Sequence, residues 1–147
     1  MAFRGTYDHT LDAKNRLTVP SKFRPQLAGG IVVAAGLRNR CAEVWTPEQF
    51  EANVAASLQG MHPASAQTAA IKDFYNANAF DLDLDGAGRV MIPAALLAYA
   101  ELSKDVVVTG GGDHLKIWSR EAWTAKAREL AAQAVEVTDQ LSRLPIA

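Results

Sequence analysis

Two aspartates stand four residues ahead of two arginines: Asp12 before Arg16, and Asp85 before Arg89. Around a tight turn, such a carboxylate can accept hydrogen bonds from turn amides and from the guanidinium together. An arginine held in this way is a fixed cation, able to meet a phosphate oxygen or the edge of a guanine. The residue before each arginine is Asn15 in one copy and Gly88 in the other. These are the two residue types most at ease at positive φ, so the spacing predicts a left-handed kink ahead of each arginine. The plainer reading is a clasp that only shapes its loop. Acidic surroundings favour that structural role for Asp85, Gly88 and Arg89. The first copy, flanked by Lys14, Lys22 and Arg24, suits both roles: Asp12 forms the clasp while the cations face a polyanion.

Other chemistry is poorly supported. Asp81-x-Asp83-x-Asp85-Gly86 imitates the start of a calcium loop, but its twelfth position is Ile92 rather than a bidentate glutamate. Gly110-Gly-Gly-Asp113 lacks the helix start and lysine of a phosphate loop and reads as a hairpin turn. His9, His62 and His114 have no ligand spacing, so no metal or other cofactor is expected. Asp12 and Asp85 could form a carboxylate pair, but an arginine beside each keeps it ionised and unfit for acid–base work. Trp45 and Trp118 end equivalent strands and read as core or subunit contacts. Cys41 reads as an ordinary strand residue. An enzyme is not expected.

The elements that carry the motif are themselves repeated. Asp12-Ala-Lys-Asn-Arg16-Leu-Thr-Val-Pro20 returns as Asp85-Gly-Ala-Gly-Arg89-Val-Met-Ile-Pro93, an offset of 73 (85 − 12). The same offset pairs Tyr7 with Phe80, Trp45 with Trp118 and Glu48 with Glu121 without a gap. Each copy reads as strand, turn, strand, short helix and hairpin, with Ser21 as a cap for the first short helix. The hairpins are Ile31–Ala35 with Cys41–Trp45, and Val106–Val108 with Leu115–Trp118. Helices follow from Thr46-Pro47 and from Ser119, with a middle helical stretch over about 47–60 and 64–78. The chain therefore divides into repeat 1 (5–47), a helical connector (48–75), repeat 2 (76–119) and a C-terminal helix (120–147). In that last helix Trp123, Ala127, Leu130, Ala134, Val137, Leu141 and Leu144 alternate at spacings of four and three. The expected partner of this seam is the chain's own middle helix.

At 147 residues, 49% hydrophobic and 21% charged, the chain is sized and composed for one soluble globular core. No apolar run approaches a bilayer's thickness, and a lone cysteine suits a reducing cytoplasm. Net charge is −1, but the copies differ. Residues 1–47 carry seven basic against three acidic side chains, and residues 76–119 carry three against six. Only the first is suited to a polyanion.

The doubled Asp-x-x-(Asn/Gly)-Arg-(apolar)-x-(apolar)-Pro motif, with Phe3-Arg4-Gly5 ahead of it, resembles the MraZ family over essentially the whole chain. That resemblance implies an α+β fold: two AbrB-like swapped-hairpin repeats forming one pseudo-dimeric β barrel, with a helix after each. It implies a bacterial transcriptional regulator, acting on the division and cell wall gene cluster that it heads. It also implies a ring-shaped homo-oligomer binding short direct repeats in its own promoter, in the cytoplasm with the nucleoid, with repression the expected outcome. Lys14, Asn15 and Arg16 would contact double-stranded DNA, assisted by Arg4, Lys22 and Arg24. The chain departs from the usual family pattern at Asn15, where glycine is common. Two other functions compete. One is an AbrB-type antitoxin, against which the second repeat and the helical seam count. The other is a non-catalytic interaction module with a basic face.

Overall fold

The computed structural model describes residues 2–143. Repeat 1 supplies β1 (Thr6–Thr10), β2 (Arg16–Thr18), a 3-10 turn (Ser21–Phe23), α1 (Arg24–Leu27), β3 (Ile31–Ala35) and β4 (Ala42–Trp45). The connector holds α2 (Pro47–Leu58) and α3 (Ala66–Ala77). Repeat 2 follows with β5 (Ala79–Leu82), β6 (Arg89–Met91), α4 (Ala94–Tyr99), β7 (Asp105–Gly110) and β8 (Leu115–Ser119), then α5 (Arg120–Ser142). The fold is α+β with wholly antiparallel pairing. Thr46 and Ser119 cap α2 and α5, accepting from the N–H of Gln49 (3.3 Å) and Ala122 (3.1 Å). Ser21 makes no such bond. The fixed φ of Pro20 starts the turn one residue earlier, and the Pro20 carbonyl accepts from Phe23 N–H.

Six strands pair in the order β1-β7-β8-β4-β3-β5, and β2 with β6 makes a separate ribbon. The first strand of each repeat pairs with the third strand of the other: β1 with β7, and β5 with β3. A pseudo-twofold axis relates the halves. It passes between Leu17 and Val90 in the ribbon and between Glu43 and Lys116 where β4 meets β8, and both pairs are 73 apart (90 − 17 and 116 − 43). The gap-free repeat expected from sequence fails at the third strand. Val32 faces Trp45 and Val107 faces Trp118, so β3 and β7 are related by 75 (107 − 32). Repeat 2 has two more residues before its hairpin and two fewer in the turn. Side-chain direction alternates along a strand, so a two-residue shift keeps every side chain on its face.

The closed barrel is not found. Among the described residues no ladder joins edge strands β1 and β5. The Asp12–Arg16 and Asp85–Arg89 turns divert the chain out of the main sheet, so β2 and β6 pair with each other. Leu17, Val19, Val90 and Ile92 then pack with Ile31, Val33, Val44, Val106 and Ile117 in one shared core. The apolar run of β3 is buried on both faces, because its other face (Val32, Ala34) lies with Trp45, Phe50 and Tyr75 beneath α2 and α3.

The C-terminal seam does not pack as expected either. The contacts of α5 fall on β7 and β8. Trp118 lies 5.6 Å from Trp123, echoing Trp45 and Phe50 in repeat 1. The twofold that relates the hairpins carries α2 and α5 to separate flanks. Leu130, Val137 and Leu141 are therefore exposed, and Leu144 lies outside the described residues. No helix among the described residues is long and apolar enough to cross a membrane. Leu17, on the axis and 1% exposed, is a sensitive point of the shared core. Leu17→Ala should cost about 2–5 kcal/mol, read as a lower urea midpoint with an unchanged slope.

Candidate nucleic-acid interface

The two Asp–Arg turns are built alike. Asp12 Oδ1 accepts from the N–H groups of Lys14 and Arg16, both at 2.9 Å, and Oδ2 accepts from Arg16 Nε at 2.7 Å. Asp85 repeats this with Ala87 and Arg89 at 2.9 Å and Arg89 Nε at 2.8 Å. Asn15 and Gly88 have φ of 57° and 74°, the left-handed kink that the sequence predicts. The backbone N–H of each arginine is the main force holding its aspartate below the usual carboxylate range, with the guanidinium adding to it. In both clasps the guanidinium is engaged through Nε. Among the described residues Arg16 and Arg89 form no other side-chain hydrogen bond, so both terminal NH2 groups remain available. Those groups provide four of the five N–H donors of each side chain.

The turns sit at opposite ends of the β2–β6 ribbon. Asn15 O accepts from Ile92 N–H (3.0 Å) and Gly88 O from Val19 N–H (2.9 Å). Leu17 and Val90 point into the core, leaving Arg16, Thr18, Arg89 and Met91 on the outer face. Arg16 is opposite Met91, and Thr18 is opposite Arg89. Two fixed guanidiniums thus flank a narrow antiparallel ribbon, and a two-stranded ribbon is of a width that the DNA major groove admits.

The chain matches the family described as "MraZ protein, putative antitoxin-like" over residues 2–73 and 76–143. It is 34% identical to "Transcriptional regulator MraZ" of Thermoanaerobacter pseudethanolicus over 97% of this chain and 98% of that protein. The Leuconostoc citreum protein of the same name is 36% identical over 95% and 96%. That of Leuconostoc mesenteroides is 39% identical over 88% and 89%. The chain belongs to the MraZ family.

In this MraZ chain the six first-repeat residues singled out from sequence do not form one patch. Lys14, Asn15 and Arg16 share the first turn. Arg24 instead lies against the second: its Nε donates to Val19 O at 3.0 Å, and a Cβ placed on Gly88 would collide with that nitrogen. Lys22 Nζ lies 4.6 Å from the Tyr7 ring centre, and the Tyr7 hydroxyl donates to Arg4 O, so Lys22 and Arg4 converge on Tyr7. Lys104, from the acidic repeat, accepts Leu11 N–H on its carbonyl and lines a groove with Asp12 and Asn15. Thr18, Met91 and Lys104 went unrecognised in the sequence because the signal that groups them is cross-repeat pairing. Lys14, Arg24 and Lys104 have no ion pair among the described residues, so each turn carries cations that its own clasp does not neutralise.

The asymmetry of the turns is testable. Gly88 is buried beneath Arg24, whereas Asn15 is exposed. Gly88→Ala should cost at least about 1–2 kcal/mol from its left-handed backbone alone, with a further cost for displacing Arg24. Asn15→Gly should stay within about 1 kcal/mol of wild type by chemical denaturation. The clasps also set a pH dependence. Because both aspartates are lowered, the clasps stabilise fully above the ordinary aspartate value of about 3.9 and lose that contribution as pH falls through the lowered values. The thermal stability gap between wild type and the Asp12→Asn, Asp85→Asn double variant should therefore close on acidification below that value. A gap unchanged in acid would mean that carboxylate charge is not what stabilises the turns.

Proposed function

We propose that this chain is a sequence-specific DNA-binding regulator of transcription, with the β2–β6 ribbon and its two turns as the DNA-contacting surface. One observation carries the reading. Arg16 and Arg89 are each fixed through Nε by an aspartate, which leaves the paired terminal donors that guanine O6 and N7 require. The names of the relatives support regulation rather than catalysis. Lys14, Asn15 and Arg16 act at one end of the ribbon. Arg24 acts at the other beside Arg89, with Lys22 and Arg4 as more distant phosphate contacts. Residues 5–47 and 76–119 are read as two AbrB-like halves whose first strands are exchanged, 48–75 as a connector and 120–147 as an assembly helix. The target is short direct repeats ahead of the protein's own division and cell wall gene cluster, in the cytoplasm at the nucleoid, and occupancy there represses the promoter.

A ring of subunits makes this workable. One ribbon offers few contacts, but several on one face engage successive repeats at high effective concentration. The apolar side chains exposed on α5, Leu130, Val137 and Leu141 among them, support such assembly. The family's description also favours a second reading as an antitoxin. In that case a small toxin would co-purify and cover α5.

Fluorescence anisotropy of the upstream DNA over a salt series tests the reading. Log affinity should fall with log salt with a slope of about −0.9 per phosphate contacted. Arg16→Ala and Arg89→Ala should each weaken binding by about 1–3 kcal/mol with the folded signal unchanged. A loss confined to Arg16 would leave Asp85–Arg89 a structural clasp. No binding by wild type at low salt would sink the reading.

A further inference from the structure

Met91 stands out among the exposed residues of the ribbon. It is 57% exposed, and among the described residues outside α5 the only other large apolar side chain so exposed is Leu37, at 42%. Single apolar side chains at a surface need no explanation by themselves; the placement of this one does. Met91 is directly opposite Arg16, on the same outward face as Arg89 and Thr18. The pseudo-twofold makes Thr18 its counterpart, at the offset of 73 (91 − 18). Each half of the face therefore offers one fixed guanidinium and one methyl-bearing side chain. A phosphate-tracking surface has no use for the methyl groups. Base edges in the major groove do, because thymine alone presents a methyl group there.

Resting on the DNA-binding reading above, we propose that Met91 is a specificity-determining residue that packs on a thymine methyl group next to the base held by Arg16. The unbranched thioether is flexible enough to follow that methyl as the ribbon seats in the groove. Thr18 Cγ makes the equivalent contact at the dyad-related position with a shorter reach. The ribbon thus discriminates by two kinds of contact: hydrogen bonds from Arg16 and Arg89, and apolar contact from Met91 and Thr18.

The test uses the tightest duplex that the full-length wild-type protein selects from a random-sequence pool, with each thymine replaced in turn by deoxyuridine. Removing one contacted methyl should weaken wild-type binding about fourfold, the value of a single buried methyl group. Met91→Ala should bind the thymine duplex about as weakly as wild type binds the uracil duplex, and should show no further loss with uracil. Met91→Leu should keep the discrimination, since an apolar side chain remains. Full thymine discrimination by Met91→Ala, or indifference of wild type at every thymine, would overturn the proposal while leaving DNA binding intact. If wild type enriches no duplex at low salt, both this proposal and the DNA-binding reading fall.

Discussion

The ladders that join β1 to β7 and β3 to β5 tie each repeat's first strand to the other repeat's third. Neither half can satisfy the backbone groups along the edge of its own hairpin without the other, and an unpaired strand edge is a liability in water. The exchange also fixes where the middle segments go. With β1 and β5 committed to opposite halves, β2 and β6 are brought together on the pseudo-twofold axis, where each finds its strand partner in the other. The ribbon, its two turns and the spacing between Arg16 and Arg89 are all consequences of that cross-repeat pairing.

Within this frame, the contribution of the Asp–Arg clasps is orientation. Both pairs are partly exposed, and a solvent-exposed ion pair contributes little to stability. The carboxylate instead organises the turn: it takes two backbone N–H groups and one guanidinium nitrogen, leaving a rigid arginine whose outer edge is free. An arginine without that support would lose more side-chain freedom on meeting a base, and the ordering cost would weaken binding. The left-handed residue makes the geometry possible, and its identity follows the local space. Gly88 has Arg24 pressed against it, whereas Asn15 lies at the surface.

Local features of the fold were legible in the sequence. The doubled motif, the positive φ at Asn15 and Gly88, and the caps at Thr46 and Ser119 all depend on residues within a few positions of one another. What was not legible depends on pairing between repeats. The side chain of Arg24 crosses to the second turn, and Lys104 of the acidic repeat lies beside the first, so charge counted along the chain did not show that both turns carry cations. The third strand's shift by two residues keeps every side chain on its face, so alternation alone does not reveal it; at the unshifted offset Ile31 and Val32 would fall on Lys104 and Asp105. The seam of α5 carries a clear period, but periodicity states which face is apolar and not what covers it.

The two places where the axis crosses the structure show what joining the repeats in one chain permits. On such an axis a residue faces its own counterpart, as Leu17 faces Val90. In a symmetric dimer of identical chains the interface must be self-complementary, and Glu43 would there face a second glutamate, with like charges opposed across a ladder. Here Glu43 faces Lys116, whose ammonium lies 3.9 Å from the carboxylate. The same carboxylate accepts from Trp45 Nε1 at 3.2 Å and lies 3.4 Å from His114, whose ring stacks on Trp45 at 4.0 Å. His114 is itself the counterpart of Cys41, which is fully buried with its thiol pushed up to about 12 by that burial. A buried charge is therefore held by unlike partners contributed from the two repeats. The differences between Asn15 and Gly88 and between Arg24 and Leu97 follow the same principle. Once the halves are joined, each side of the axis can specialise, and the polar asymmetry of the ribbon is what the proposed reading would use on DNA that is itself not symmetric.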